Sequence, residues 1–503
     1  MQARVSSASI PAASVPAKTL APGVVVHPDH ATLISLLDNA PLRLPHYVAW
    51  FLSSGGTLLD GFSVFMLGMA IPLVVAEIAF TTFQLAFLGA GLVAGAVLGA
   101  ATGGRLADRI GRKSVFLLDM LFLLLAALGA ALSWEPWFLI ITQTLVGVAI
   151  GMDFPVSSSY IAECMPHRSR GRMMVATIAS QSVGMLLAAL LVLSLLHLHG
   201  AAEVWRFFFV AEALIAAFFL VARMQLAESP RWLMSKGRNR EAVHAISHLI
   251  PEDRRDLEQI ATRLANTPFH AARIARSDHP PAFTAIFSAP YRRRTLLSTA
   301  PWFLMDMATY GIGLFTAVLL GAMDFGAQSK TVSAHIEALT TGSGFIDLFL
   351  LLGFLLGIWA VVRFGRIRMQ LIGFGGMALG MAILLVSTLL PGGPQAQVAL
   401  VFIGFILFNL FMNMGPNSTT YVLPAELFPT QLRGTGAGFA AAVAKVGATL
   451  GVFLLPLIKA RVGVVGVLVL MIAVSLLGLI TTWLFRVDDR ERTLEEHQAA
   501  DLA

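Results

Sequence analysis

Apolar residues in this chain fall in long runs separated by short polar breaks. Segments such as 115–133, 184–196, 207–222, 346–362, 371–390 and 463–485 carry few or no charges. At helical rise, roughly 20 apolar residues cross the hydrocarbon layer of a bilayer. One such run suits a buried core helix; a dozen do not. The pattern predicts twelve spans, near 47–76, 84–106, 114–133, 137–161, 173–197, 204–226, 295–322, 342–364, 369–390, 397–422, 435–459 and 463–486. The loops are short, as between antiparallel neighbours, apart from one polar insertion. The expectation is an all-α membrane protein of two pseudo-symmetric six-helix bundles, 47–226 and 295–486, joined by a loop, 227–294. That loop holds amphipathic stretches, such as 239–265, expected on the cytoplasmic face. Residues 1–46, rich in Ala, Pro and Ser, read as a mobile tail with a short membrane-surface helix near 31–39, and 487–503 as a second tail.

Composition agrees with this pattern. Of 503 residues, 57% are hydrophobic and 13% charged, against roughly 25% charged in soluble domains. The location of the charge says more than its net value of +6. Basic residues gather at Arg105–Lys113, Arg168–Arg172, Arg223–Arg294 and Arg363–Arg368, with Lys459 and Arg461 the main exceptions. The positive-inside rule puts those loops, and with an even number of spans both termini, in the cytoplasm. The basicity is thus a topology signal rather than a nucleic-acid footprint. Residues 1–46 lack the basic and apolar regions of a cleaved signal, so the first span serves for insertion. The expected location is a bacterial inner membrane, as a monomer.

Little in the chain points to catalysis. The single cysteine, Cys164, excludes an intramolecular disulfide and reads as a packed small hydrophobe. His30, His46, His197 and His199 show no metal-ligand spacing. Gly147 to Gly151 is a helix-packing run, since no Lys-Ser/Thr follows it. No ATP-binding signature or nucleophile–base constellation is present, so neither an enzyme nor a cofactor is expected.

Landmarks recur between the halves. Gly103-Gly104-Arg105-Leu106-Ala107-Asp108-Arg109-Ile110-Gly111-Arg112-Lys113 follows the second span. A worn copy, ending Arg363-Phe364-Gly365-Arg366, follows the eighth, so Gly111 and Gly365 lie 254 positions apart. Glu163 with Arg170-Gly171 after the fourth span matches Glu426 with Arg433-Gly434 after the tenth, each 263 apart. Asp60 and Asp306 differ by 246. Repeats of this kind are a transporter plan. The 103–113 segment resembles the loop signature of the major facilitator superfamily. Its glycines allow close helix approach, and Asp108 can cap a helix or pair with an arginine. That resemblance implies a gating role for Gly104, Asp108, Arg109, Gly111, Arg112, Glu163, Arg170, Glu426 and Arg433. Ala227-Glu228-Ser229-Pro230-Arg231-Trp232-Leu233 is similar to the segment after span six in sugar-porter-like branches.

A narrower resemblance rests on four segments: Gly151-Met152-Asp153-Phe154-Pro155-Val156-Ser157; Trp302 through Asp306 to Gly311; Gly415-Pro416-Asn417-Ser418-Thr419-Thr420-Tyr421, continuing through Pro424, Glu426 and Phe428-Pro429-Thr430; and Ala444-Lys445-Val446-Gly447-Ala448. These resemble the phosphate:proton symporter family over about residues 47–486. The resemblance implies phosphate held by Gln181, Trp302, Asp306, Tyr310, Asn417 and Lys445, and protons carried by Asp60, Asp119 and Asp153. The residue types suit those tasks independently. Lys445 supplies positive charge; Trp302, Tyr310, Gln181 and Asn417 are neutral donors. Asp306 can accept a phosphate proton or pair with Lys445. Trp302, Asp306 and Tyr310 are spaced i, i+4, i+8, on one helix face. Ionisable residues at membrane depth are costly and normally functional; Asp347 is a further one without an implied role.

Two departures bear on the substrate. Phe154 stands where that family commonly has a phosphate-contacting tyrosine, and Ser63 where it has a second aspartate. They leave open a proton-coupled transporter of an organic anion, or of a sugar or polyol. A nutrient sensor signalling through its tails is a third alternative, disfavoured because neither tail is long enough to form a signalling domain.

Overall fold

The computed structural model describes residues 28–199, 204–251, 283–322 and 332–487. Among them the secondary structure is helical, with no strand. Ten helices are long and apolar enough to cross a membrane, and the shorter apolar helix Leu348–Phe364 occupies the predicted eighth span. The seventh lies in Arg292–Ala322. The first span, Leu44–Glu77, is interrupted at Ser54 between helices Leu44–Ser53 and Gly55–Glu77. The second, Thr82–Ile110, opens on a capping box, in which Thr81 accepts from the Gln84 amide while Gln84 accepts from that of Thr81. Then come Arg112–Ala131, Pro136–Cys164, His167–His199 and Val204–Arg223.

In the second half, Val332–Phe364 and Arg366–Leu389 precede a broken tenth span. Val398–Met414 and Pro416–Leu427 meet at Gly415, where the chain leaves helical geometry ahead of a proline. The eleventh and twelfth spans form one helical run, Thr430–Phe485, kinked at Gly463 (φ 72°, ψ −173°). A side chain is rarely tolerated at that φ, so glycine marks the reversal. Ser54, Gly415 and Gly463 are discontinuities that hydropathy does not reveal.

Close helix contact follows the small residues. A Cβ on Gly147 would lie 1.9 Å from the Leu92 carbonyl oxygen, and one on Gly151 2.2 Å from that of Ala96. The Gly147–Gly151 run therefore packs the fourth span onto the second, as expected. Leu98, Leu125, Leu190, Leu214 and Leu355 point outward, the apolar surface a bilayer covers.

The short helix expected near 31–39 is present as Pro28–Asn39, but it is docked on the bundle rather than lying on a membrane surface: Leu33 and Leu37 are fully buried. Asp38 accepts from Arg170 at 2.8 Å and from Arg231 at 2.6 Å. Of the amphipathic stretch 239–265, helix Asn239–Leu249 is described, with one buried apolar face; residues 252–265, the tail 488–503 and the Asp347 side chain lie outside the described residues.

Candidate substrate site and basic-side gate

Lys445, on the eleventh span, is the centre around which the predicted binding residues gather. Its ammonium donates to the Tyr310 hydroxyl at 2.7 Å and lies 3.9 Å from Asp60 Oδ2 on the opposite half of the chain. Asp306 acts on the same ammonium at longer range. The ion pair of Lys445 is thus with Asp60 rather than with Asp306. Gln181 Nε2 donates to Asp60 Oδ2 at 2.7 Å. This bond depends on the neighbouring Gly61, where a Cβ would sit 2.0 Å from the Gln181 carbonyl oxygen. A side chain there would push the first and fifth spans apart.

The rings complete the surroundings. The Lys445 ammonium lies 4.8 Å from the centroids of both Phe154 and Tyr310, near the Phe154 ring and at the hydroxyl end of Tyr310. Phe154 thus lacks a hydroxyl but still engages the cation. Tyr421 packs edge-on against Phe154 and Trp302, with centroids 6.1 and 6.5 Å away. Its hydroxyl reaches Ser157 at 2.8 Å. Asn417 is one turn before Tyr421 but donates to Asn413 Oδ1 at 2.8 Å, across the Gly415 break, instead of to the Lys445 group. Asp60, Phe154, Trp302, Asp306 and Lys445 are all buried.

The other two predicted acids do not join this group. Asp119 and Asp153 pair with Arg223, at 3.1 and 2.7 Å, and all three side chains are fully buried. Arg223 lies at the end of the sixth span, where a basic residue is expected of any loop boundary, so the sequence alone does not mark it. One further buried acid carries no motif. Glu212 is fully buried in the sixth span and accepts from Ser63, so Ser63 is partnered by an acid from a neighbouring helix.

The superfamily-like segments meet at the basic end of the molecule. Glu163 Oε1 takes Arg112 at 2.9 Å and, across the halves, Arg433 at 3.0 Å. Arg112 also pairs with Asp108 at 3.0 Å. Asp108 Oδ2 accepts both the Thr435 amide and its hydroxyl at 2.8 Å. Gly104 sits against the opposite chain half, where a Cβ would come 1.9 Å from the Gly434 carbonyl oxygen. Glu426 pairs with Arg366, and Arg109 is exposed. The 227–233 segment has a structural task. Glu228 accepts from the Arg112 and Lys113 amides at the start of the third span, where a carboxylate suits the helix dipole. Burial still pushes its carboxyl up from the ordinary value. Ser229 donates to Glu163, and the Trp232 indole to the Asp108 carbonyl. Gly111 (φ 102°) makes the preceding turn.

A bundle of membrane-length helices, with charged clusters closing one end and a buried ion pair joining the two halves, is the architecture of a secondary transporter, not of an enzyme. The chain belongs to the sugar (and other) transporter family, which it matches over residues 52–500, and so to the major facilitator superfamily. It is 28% identical to a probable inorganic phosphate transporter 1-12 of Oryza sativa subsp. japonica, covering 92% of this chain and 93% of that one. It is 29% identical to the inner membrane metabolite transport protein YgcS of Escherichia coli, covering 89% and 93%. The fold overlays the proton:xylose symporter XylE bound to 6-bromo-6-deoxy-D-glucose with a TM-score of 0.75, at 19% identity over 90% of this chain and 98% of that one. Against the inward-open conformation of XylE from E. coli the TM-score is 0.61, at 20% identity over 90% and 99%. The protein is therefore a multi-pass integral membrane transporter.

Proposed function

We propose that the protein takes up inorganic phosphate together with protons, by alternating access about the Lys445 site. The observation that carries this reading is the buried Lys445–Asp60 pair across opposite halves of the chain, with a second buried carboxylate, Asp306, one turn from the Tyr310 that Lys445 bonds to. With both carboxylates ionised the trio is net negative, and an arriving phosphate adds further negative charge. Such uncompensated buried charge is costly. Protons on Asp60 and Asp306 remove the excess and free Lys445 for the anion. Gln181, Tyr310, Trp302 and, after turning from Asn413, Asn417 then offer neutral donors. Anion and protons bind together rather than in competition, which is what symport requires.

The bundles 47–226 and 295–486 would rock about this site, with the Glu163–Arg433 and Asp108–Thr435 contacts holding the cytoplasmic end closed. The termini and basic loops face the cytoplasm of a bacterial inner membrane, and the unit is a monomer. The plant relatives named as phosphate transporters support the cargo. A second reading, transport of an organic anion or a sugar, is favoured by Phe154, which offers no hydroxyl, and by the metabolite-transporter relative. Binding of labelled phosphate to the purified protein, challenged with organic acids and sugars, separates the two. The phosphate reading predicts displacement by unlabelled phosphate alone; displacement by a carboxylate or sugar at lower concentration favours the second.

A further inference from the structure

Arg223 is bonded through every N–H its guanidinium carries. Nε donates to the Leu52 carbonyl at 2.9 Å; Nη1 donates to Phe116 O at 3.4 Å and Asp119 Oδ1 at 3.1 Å; Nη2 donates to Ser53 O at 3.2 Å and Asp153 Oδ1 at 2.7 Å. The guanidinium also lies 4.3 Å from the Phe116 ring centroid. Two features single this cluster out. First, it holds one cation for two carboxylates, and Asp119 Oδ2 and Asp153 Oδ2 are buried without a hydrogen-bond partner. Both carboxylates bond to the same guanidinium, so one proton taken up between them makes the cluster neutral. Second, the Leu52 and Ser53 carbonyls belong to the interruption in the first span. A side chain inserted into the helix ladder is a recognised cause of such a break. The same interruption rests on the acid: a Cβ on Gly56 would lie 2.0 Å from the Asp153 carboxyl carbon.

We infer that Arg223 is a positioning residue that ties one exchangeable proton, held by the Asp119–Asp153 pair, to the interruption of the first span at Ser54. When the pair is fully ionised both carboxylates hold Arg223, and Arg223 holds the Leu52 and Ser53 carbonyls. When a proton enters the pair, one of the two ion pairs becomes a bond from the guanidinium to a neutral carboxyl, and the guanidinium is freer to leave the carbonyls. The first span also carries Asp60, one to two turns further on, so a change at Ser54 reaches the Lys445 site along one helix. Among the described residues, these other groups face the pair or its helices. Asp60 and the Tyr421 hydroxyl both feel Asp153. His46 on the first span is bonded through Nδ1 to the Arg43 amide, and Glu212 in the middle of the sixth span is occupied by Ser63.

This rests on the proton-coupled reading above, but its test needs no substrate. The full-length protein in lipid is titrated by infrared difference spectroscopy, which reads the carbonyl stretch of protonated carboxyls. The wild type should show a pH-dependent carboxyl band that disappears in both D119N and D153N. R223K should keep it, whereas R223Q, leaving two acids with no cation, should hold the pair protonated so that the band no longer follows pH. Amide hydrogen exchange over residues 50–57, corrected for its intrinsic pH dependence, should quicken about tenfold on acidification in the wild type, the effect of roughly one ordinary hydrogen bond on a local opening, and should lose that response in D119N. A band unchanged in D119N and D153N, or exchange that ignores pH in the wild type, overturns the inference. If R223Q does not fold, D119N and R223K decide it. Failure of phosphate transport leaves these readouts intact, so the two proposals fail separately.

Discussion

At the scale of single residues, the site is organised by charge balance around Lys445. Lys445→Ala leaves Asp60 and Asp306 without their cation, and breaking a buried pair by removing one partner costs about 3–5 kcal/mol. Phosphate accumulation in proteoliposomes should fall at least ~100-fold, because each 1.4 kcal/mol is about a factor of ten. Asp306→Asn keeps the shape but removes a proton acceptor, so accumulation should be abolished, as counted by labelled phosphate retained under a pH gradient. Phe154→Tyr should behave in the opposite way. The ring that faces the Lys445 ammonium at 4.8 Å remains, and a donor is added; uptake should persist with an unchanged or lower KM. A large loss of uptake in F154Y would place a different cargo against that ring. Lys445, Asp60 and Asp306 were legible in the sequence because charge inside an apolar run stands out. Arg223 and Glu212 were not: Arg223 ends a span where basic residues are expected anyway, and Glu212 matches no segment that carries the resemblance. Only the packing of the sixth span against the first, third and fourth reveals what they touch.

At the scale of elements, the repeat is visible in sequence and its breakage only in structure. Glu163 and Glu426 recur at equal spacing from Arg170 and Arg433, so symmetry suggests equivalent pairings. Instead Glu163 takes Arg433 across the halves, while Arg170 is held by Asp38 of the amino-terminal helix. A short helix near 31–39 is legible in the sequence, but its docking is not, because its partners, Arg170 and Arg231, are remote in sequence. Asp38 therefore ties the amino-terminal helix to both arginines at the basic end. Asp38→Ala removes two charge-assisted bonds, and the separation of the two basic ends, followed by distances between spin labels, should shift toward the open form by roughly tenfold. No shift would reduce the helix to a packing element. Gly104→Val tests the same closure from the other side. A Cβ there would sit 1.9 Å from the Gly434 carbonyl oxygen, so the halves cannot meet, and the variant should fold yet rest open at the basic end with transport lost.

At the scale of the whole molecule, long apolar runs and the placement of arginines suffice to predict the number and order of spans, because a bilayer demands about 20 apolar residues per crossing whatever else the chain does. The interruptions at Ser54 and Gly415 and the kink at Gly463 escape that logic, since hydropathy is continuous through them. The division of labour also changes once the helices are assembled. An acidic first half and an anion-holding second half are what the sequence offers; the fold instead makes two clusters, each with one cation and two carboxylates. Lys445 with Asp60 and Asp306 joins the halves, whereas Arg223 with Asp119 and Asp153 lies within the first. The first can couple cargo to protons, and the second can couple a proton to helix geometry. The function proposed for the whole molecule is coupled uptake. Its most direct test is labelled phosphate accumulation by the purified protein in proteoliposomes with an imposed pH gradient, acidic outside. Accumulation above equilibrium that collapses with a protonophore is predicted; folded protein that gathers no phosphate under any pH gradient would contradict it.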